Sequence, residues 1–121
     1  MAEVLSAHLG DGARYTSEGA PAAARAVADE VRERLAAEAR RQAADAAAAD
    51  GSVASGDAES QHSAEPRYKI AVQCVVAERG GQGLHLSARC LWDMRTDGMA
   101  SSRFDSEELV GLCVAFAVYH Y

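Results

Sequence analysis

Among the side chains able to act as nucleophile, base or metal ligand, this chain carries Cys74, Cys90 and Cys113 together with His8, His62, His85 and His120. A catalytic thiol needs an imidazole within hydrogen-bond reach to take its proton, and the pair that comes nearest is His85 with Cys90. On a strand, residues five apart point to opposite faces, so that pair does not form a dyad. Metal sites recur as ligands at short spacing, and neither a CxxC nor a close His pair occurs. Gly80-Gly81-Gln82-Gly83 has the composition of a phosphate loop, yet it precedes a strand pattern instead of a helix and lacks a following Lys-Ser or Lys-Thr. It reads as a turn. Trp92-Asp93 at a strand end fits core or interface packing. No catalytic, cofactor-binding or metal-binding residue is assigned, and the expectation is a protein that is not an enzyme.

The elements that position these residues follow from pattern. At 121 residues the chain is one domain long. Its net charge is -6 and aromatic residues make up 6%, a balance that favours neither a nucleic-acid groove nor a polybasic membrane patch. The acidity concentrates between Gln42 and Glu65, where Asp45, Asp50, Asp57, Glu59 and Glu65 stand without a Lys or Arg. No apolar run approaches the ~20 residues of a membrane helix, and Met1 to Gly10 lacks the pattern of a secretory signal. A soluble intracellular protein is expected, with its three cysteines, each inside an apolar stretch, as reduced core residues.

Ala2 to Leu9 reads as two helical turns stopped by Gly10-Asp11-Gly12. A second helix begins near Thr16 or Ser17, either of which can accept a bond from a first-turn amide. Val27, Val31 and Leu35 form its apolar stripe, and Glu30 with Arg34 its wet face. Alanine propensity carries it past Arg41, as far as Ala49, before Asp50-Gly51-Ser52. Residues 1–41 are thus the helical segment and 42–65 an acidic Ala/Gly/Ser-rich insertion, of which at least 51–65 is loop.

From 66 to 121 the period becomes two. Tyr68, Ile70, Val72, Cys74 and Val76 form one strand face; Leu84, Leu86, Ala88, Cys90 and Trp92 form another, with a hairpin signal at Gly80 to Gly83 between them. A polar strand follows from Ala100 to Phe104, and Leu109 to Tyr121 closes the chain, apolar on both faces. The fold class is α+β: two N-terminal helices packed on a four-stranded antiparallel sheet. Two helices cover one sheet face only, which leaves Ala115, Ala117 and Tyr119 or their even-numbered neighbours bare. That arithmetic implies a dimer or a close-fitting partner.

The stretch PRYKIAVQCVVAERGGQGLHLSARCLWDMRTDGMASSRF, followed by LVGLCVAFAVYHY, resembles the Tctex-type dynein light chains. The signals are the Tyr68-Lys69 strand start, the QCVV run with its glycine turn, the Cys90-Leu91-Trp92-Asp93 corner with Thr96-Asp97, and the closing apolar strand. HLGDGARYTSEGAP and VADEVRERL are similar to the family's helix-loop-helix. AFAVYHY and GARYTSE look closer to the second t-complex subtype, associated with axonemal dyneins of cilia and flagella, than to the first. Two features depart from the family pattern: the first helix is unusually short, and Gln42 to Glu65 exceeds the usual connection.

The resemblance implies a strand-exchanged dimer, in which the strand from about Gly83 to Trp92 crosses onto the partner's sheet, in place of the local hairpin. It also implies docking of a dynein intermediate-chain segment by β-augmentation, with Leu84, His85, Leu86, Ser87, Ala88 and Arg89 as the contacting residues. Cys90, Leu91, Trp92, Val114 and Phe116 become seam or core residues. The implied partners are the intermediate chain, a second copy or another Tctex-type light chain, and through them the dynein heavy chain complex. The implied location is cytoplasm and cytoskeleton, in particular the ciliary axoneme; a cytoplasmic dynein cargo adaptor is the alternative.

Overall fold

The structure is a computed structural model that describes residues 1–10, 12–49 and 67–120. The order of elements is α1 (Ala2–Leu9), α2 (Gly19–Ala49), β1 (Tyr68–Glu78), β2 (Gly98–Asp105) and β3 (Leu109–Tyr119). The fold is α+β, with two helices against an antiparallel sheet of three strands among the described residues.

Helix α1 ends where expected, at Gly10, whose amide donates to the Ser6 carbonyl. At the start of α2, Thr16 is the acceptor for an orphan amide: its hydroxyl oxygen takes the Gly19 N–H at 2.9 Å, and its carbonyl takes that of Ala20. The helix then runs 31 residues to Ala49, across the first part of the acidic segment. The stretch 51–65 lies outside the described residues, as does His62.

Strand β3 is central. β1 and β2 flank it, both antiparallel, in the order β1-β3-β2. Register sets which residues share a face: Cys74 lies opposite Cys113, Val72 opposite Ala115, and Phe104 opposite Gly111. On this face the helices seat their apolar stripes. Val4, Leu5 and Leu9 from α1, Val27 and Val31 from α2, and Leu109, Cys113 and Ala115 from β3 are buried, with Leu35, Val72, Cys74, Val76 and Phe104 packed around them. Each fully buried aliphatic side chain contributes about 1.5–3 kcal/mol of transfer free energy. Gly111 is what admits α1 so close: a Cβ there would stand 2.5 Å from Leu9 Cδ1 and 3.4 Å from Leu5 Cδ2.

The helix pair is joined at its rim by Glu30, which accepts from His8 Nε2 at 2.7 Å and from Arg34 at 2.6 Å. The His8 bond chiefly, with help from Arg34, holds the Glu30 carboxyl below its usual value against the opposing effect of desolvation. These groups lie at the surface, so they orient α1 more than they stabilise it.

Among the described residues, no helix covers the opposite face of the sheet. Val110, Leu112, Val114, Phe116 and Val118 of β3 are only half-buried, and on the same side Met99 of β2 is 55% exposed. Of the two sets that the arithmetic of layers leaves open, the even-numbered one is bare. The fourth strand expected from Gly83 to Trp92 is absent from the sheet, as is the hairpin that would join it to β1.

Leu5→Ala is expected to lower stability by about 2–5 kcal/mol, because a wholly buried side chain leaves a cavity between α1 and β3. Arg32→Ala, which removes only the exposed 3.9 Å pair with Asp29, changes it by no more than about 0.5 kcal/mol. Urea unfolding followed by helical circular dichroism at one fixed protein concentration checks both.

Candidate functional site

Because β1 and β2 are each antiparallel to β3, they run parallel to one another. A tight turn cannot join parallel strands; the chain has to travel back along the sheet. Glu78 lies opposite Leu109 and Gly98 opposite Ala117, a return of roughly 26 Å at ~3.3 Å per residue. Residues 79–97 make that journey, and this is why no hairpin forms at Gly80 to Gly83. Gly81 is still needed as glycine, with φ at +80°, where the chain swings away from the sheet.

Both ends of the connection are fastened. At the first, the Arg79 amide donates to the Glu108 carbonyl at 2.8 Å, and its guanidinium Nη1 donates to the Ser106 carbonyl at 2.8 Å. That ties the departure point to the β2–β3 turn. At the second, Asp93 and Asp97 build a compact turn. The Asp97 amide donates to the Asp93 carbonyl at 2.8 Å, Asp97 Oδ2 accepts the Asp93 amide at 2.8 Å, and Asp93 Oδ1 accepts the Arg95 amide at 2.9 Å. Asp97 Oδ1 also accepts the Tyr119 amide at 2.8 Å, across to the last residue of β3. These backbone bonds, Tyr119 first and Asp93 next, hold the Asp97 carboxyl below the usual aspartate value.

Between the two fastenings lies an arm. Leu84, His85, Leu86, Ser87, Ala88, Arg89, Cys90, Leu91 and Trp92 are all exposed and pair with no strand among the described residues. Leu84 is 51% exposed, Leu91 fully so, and Met94 just beyond is 87% exposed. Unpaired amides and carbonyls beside large apolar side chains, in a stretch whose sequence alternates as a strand does, are what a strand without a sheet presents. The six residues expected to contact a peptide are thus contiguous on this arm. Of the five expected at a seam or in the core, Val114 and Phe116 stand on the bare sheet face, whereas Cys90, Leu91 and Trp92 are not core in the protomer.

The thiols divide accordingly. Cys113 is buried and Cys74 half-buried, facing each other across β1 and β3, while Cys90 is exposed. Cys90 is a correction to the expectation of three core cysteines: its segment pairs with no strand among the described residues and leaves it exposed. Burial, and then the neighbouring Cys113, pushes the Cys74 thiol up to about 11, and burial raises Cys113 too. Neither is poised as a nucleophile. No hydrogen bond joins His85 to Cys90, and among the described residues no three His, Cys, Asp or Glu side chains gather to hold a metal ion. No helix among them is long and apolar enough to cross a membrane. The fastening residues Arg79 and Asp97 escape a reading by composition; the four-residue spacing of Asp93 and Asp97, both able to bond nearby amides, is the local signal that marks them.

The model of the Tctex-1 family matches residues 1–118. A dynein light chain Tctex-type protein 2B of Danio rerio is 30% identical over 121 residues, all of this chain and 63% of that protein. A dynein light chain Tctex-type 4 of Mus musculus is 43% identical over 54 residues, 45% of this chain and 25% of that protein. A Tctex-type protein 2B of the same species is 38% identical over 55 residues, 46% of this chain and 38% of the relative. The chain spans less than two thirds of the length of each.

Two outcomes are expected. In native protein at mildly alkaline pH, Cys74 and Cys113 resist a thiol reagent and Cys90 reacts no faster than free cysteine, whereas in denaturant all three react alike; timed labelling read by mass spectrometry decides this. The second concerns acid. A carboxylate whose folded value is depressed contributes stability above its unfolded value of about 3.9 and loses it as pH falls through the folded one. The Asp93 and Tyr119 amides therefore lose hydrogen-exchange protection below about pH 4, ahead of the amides in the middle of β3.

Proposed function

From the premise that the chain belongs to the Tctex-1 family, we propose that it is a non-catalytic light chain of a dynein motor, which dimerises by exchanging its arm and holds the dynein intermediate chain by β-augmentation. The observation that carries this reading is the exposed, unpaired segment Leu84–Trp92, fixed at both ends and placed beside a sheet whose other face is bare.

An arm with unsatisfied backbone groups gains most by pairing with a sheet edge, and it pairs with neither edge strand of its own sheet, β1 or β2. A second copy offers such an edge, and the bare faces with Val114 and Phe116 supply apolar surface for the two protomers to share. Cys90, Leu91 and Trp92 then enter the seam. Exchange leaves the outer side of the arm open, where an extended peptide adds as a further strand. Leu84, His85, Leu86, Ser87, Ala88 and Arg89 supply its main-chain bonds and alternate pockets. Two arms hold two intermediate-chain segments side by side and raise their effective concentration for assembly. A first-subtype Tctex-type chain presents the same elements, so a heterodimer is built as a homodimer is.

The motor we assign is axonemal. The names of the relatives, with type 2B protein matched over the whole chain, support the placement with the second subtype. Association with the heavy chain complex is then indirect, and residues 1–121 act as one light-chain domain.

Leu86→Asp sets an unpaired charge against the docking edge. It is expected to weaken capture of an intermediate-chain peptide by more than tenfold while the circular dichroism spectrum stays that of the unmodified chain. Equal capture places the groove elsewhere. Co-sedimentation with isolated axonemes tests the motor assignment, since a cytoplasmic cargo adaptor stays in the soluble fraction.

A further inference from the structure

Asp97 uses both carboxylate oxygens. Oδ2 holds the Asp93 amide at 2.8 Å; Oδ1 holds the Tyr119 amide at 2.8 Å and the Thr96 hydroxyl at 3.2 Å. Asp93 immediately follows the arm, and Tyr119 is the last residue of the central strand, paired with Tyr68 and in edge-to-face contact with its ring at 5.4 Å. One side chain therefore joins the root of the arm to the most firmly held strand of the sheet, bypassing β2.

We propose that Asp97 is the positioning residue for strand exchange: by clamping the Asp93 and Tyr119 amides together it fixes the direction in which Leu84–Trp92 leaves the protomer and so prepares that segment for a second chain. This rests on the reading that the segment is exchanged.

The reason lies in when the ordering cost falls. Fixing one backbone residue costs about 1–2 kcal/mol, and any of it left to the moment of association is subtracted from affinity. A root already fastened within the protomer moves that cost into folding. Only an ionised carboxylate can serve, because both amides are donors and each needs an acceptor oxygen. Asparagine keeps the Tyr119 bond through its carbonyl and turns an NH2 toward the Asp93 N–H, two donors face to face. Alanine removes both bonds.

The test compares the full chain with its Asp97→Asn and Asp97→Ala variants by sedimentation equilibrium for the dimer Kd, and by amide hydrogen exchange in β1 and β3 as a readout of the protomer fold. Asparagine, which retains one bond, guards against an alanine variant that fails to fold. The expected result is a Kd raised about tenfold by Asp97→Asn and further by Asp97→Ala, with protection unchanged in β1 and in β3 apart from the Tyr119 amide, which loses its acceptor in Asp97→Ala. A dimeric parent whose variants keep Kd within about twofold overturns the role of Asp97 and leaves exchange standing. Loss of β1 and β3 protection together with affinity in both variants overturns it as well, by making Asp97 a support of the fold. A parent chain that stays single overturns the exchange reading and this one with it.

Discussion

The central position of β3 constrains everything else in the molecule. With β1 and β2 both antiparallel to it, the chain between them has to run back along the sheet, and in that run Leu84 to Trp92 pair with no strand among the described residues. A strand order that followed the chain would have closed the sheet with short turns and left nothing over. The observed order instead leaves Leu84 to Trp92 exposed and paired with no strand among the described residues. The exposed arm is a consequence of topology.

The uneven cover of the sheet acts in the same sense. Helices α1 and α2 lie on one face, where Gly111 lets Leu5 and Leu9 approach the backbone, and the other face presents the half-buried Val110, Leu112, Val114, Phe116 and Val118. A protomer with one dry face, one bare face and a loose strand carries two unsatisfied requirements, one for apolar cover and one for hydrogen bonds. A single second chain meets both, which is why the family assignment and the geometry lead to the same proposal.

Most of the architecture was legible in the sequence where the information is local. Leu5 and Leu9, four apart and closed by Gly10, mark α1; Thr16 marks the start of α2; and the alternation from Tyr68 onward marks β1. The failures concern partners distant along the chain. Gly80 to Gly83 announces a change of direction without saying which strand lies next to which, so a hairpin was the natural reading of a crossover. Cys90 alternates with Leu84 and Leu86 as a core residue would, but burial depends on pairing, and among the described residues its segment pairs with no strand. The closing strand is apolar on both sides, and only its register with β1 and β2 decides which side the helices take. Asp97 is visible in the sequence only within the Thr96-Asp97 signal, because the second amide it holds belongs to Tyr119, 22 positions later.

The claim that bears the account is that Leu84–Trp92 finds its sheet on another chain. A mixed sample of isotopically labelled and unlabelled protein, filtered for contacts between the two, measures this directly. The account predicts slowly exchanging arm amides with cross-chain contacts to an edge strand, β1 or β2, of the other copy. Arm amides that exchange freely at high concentration, or that make contacts only within their own chain, contradict it.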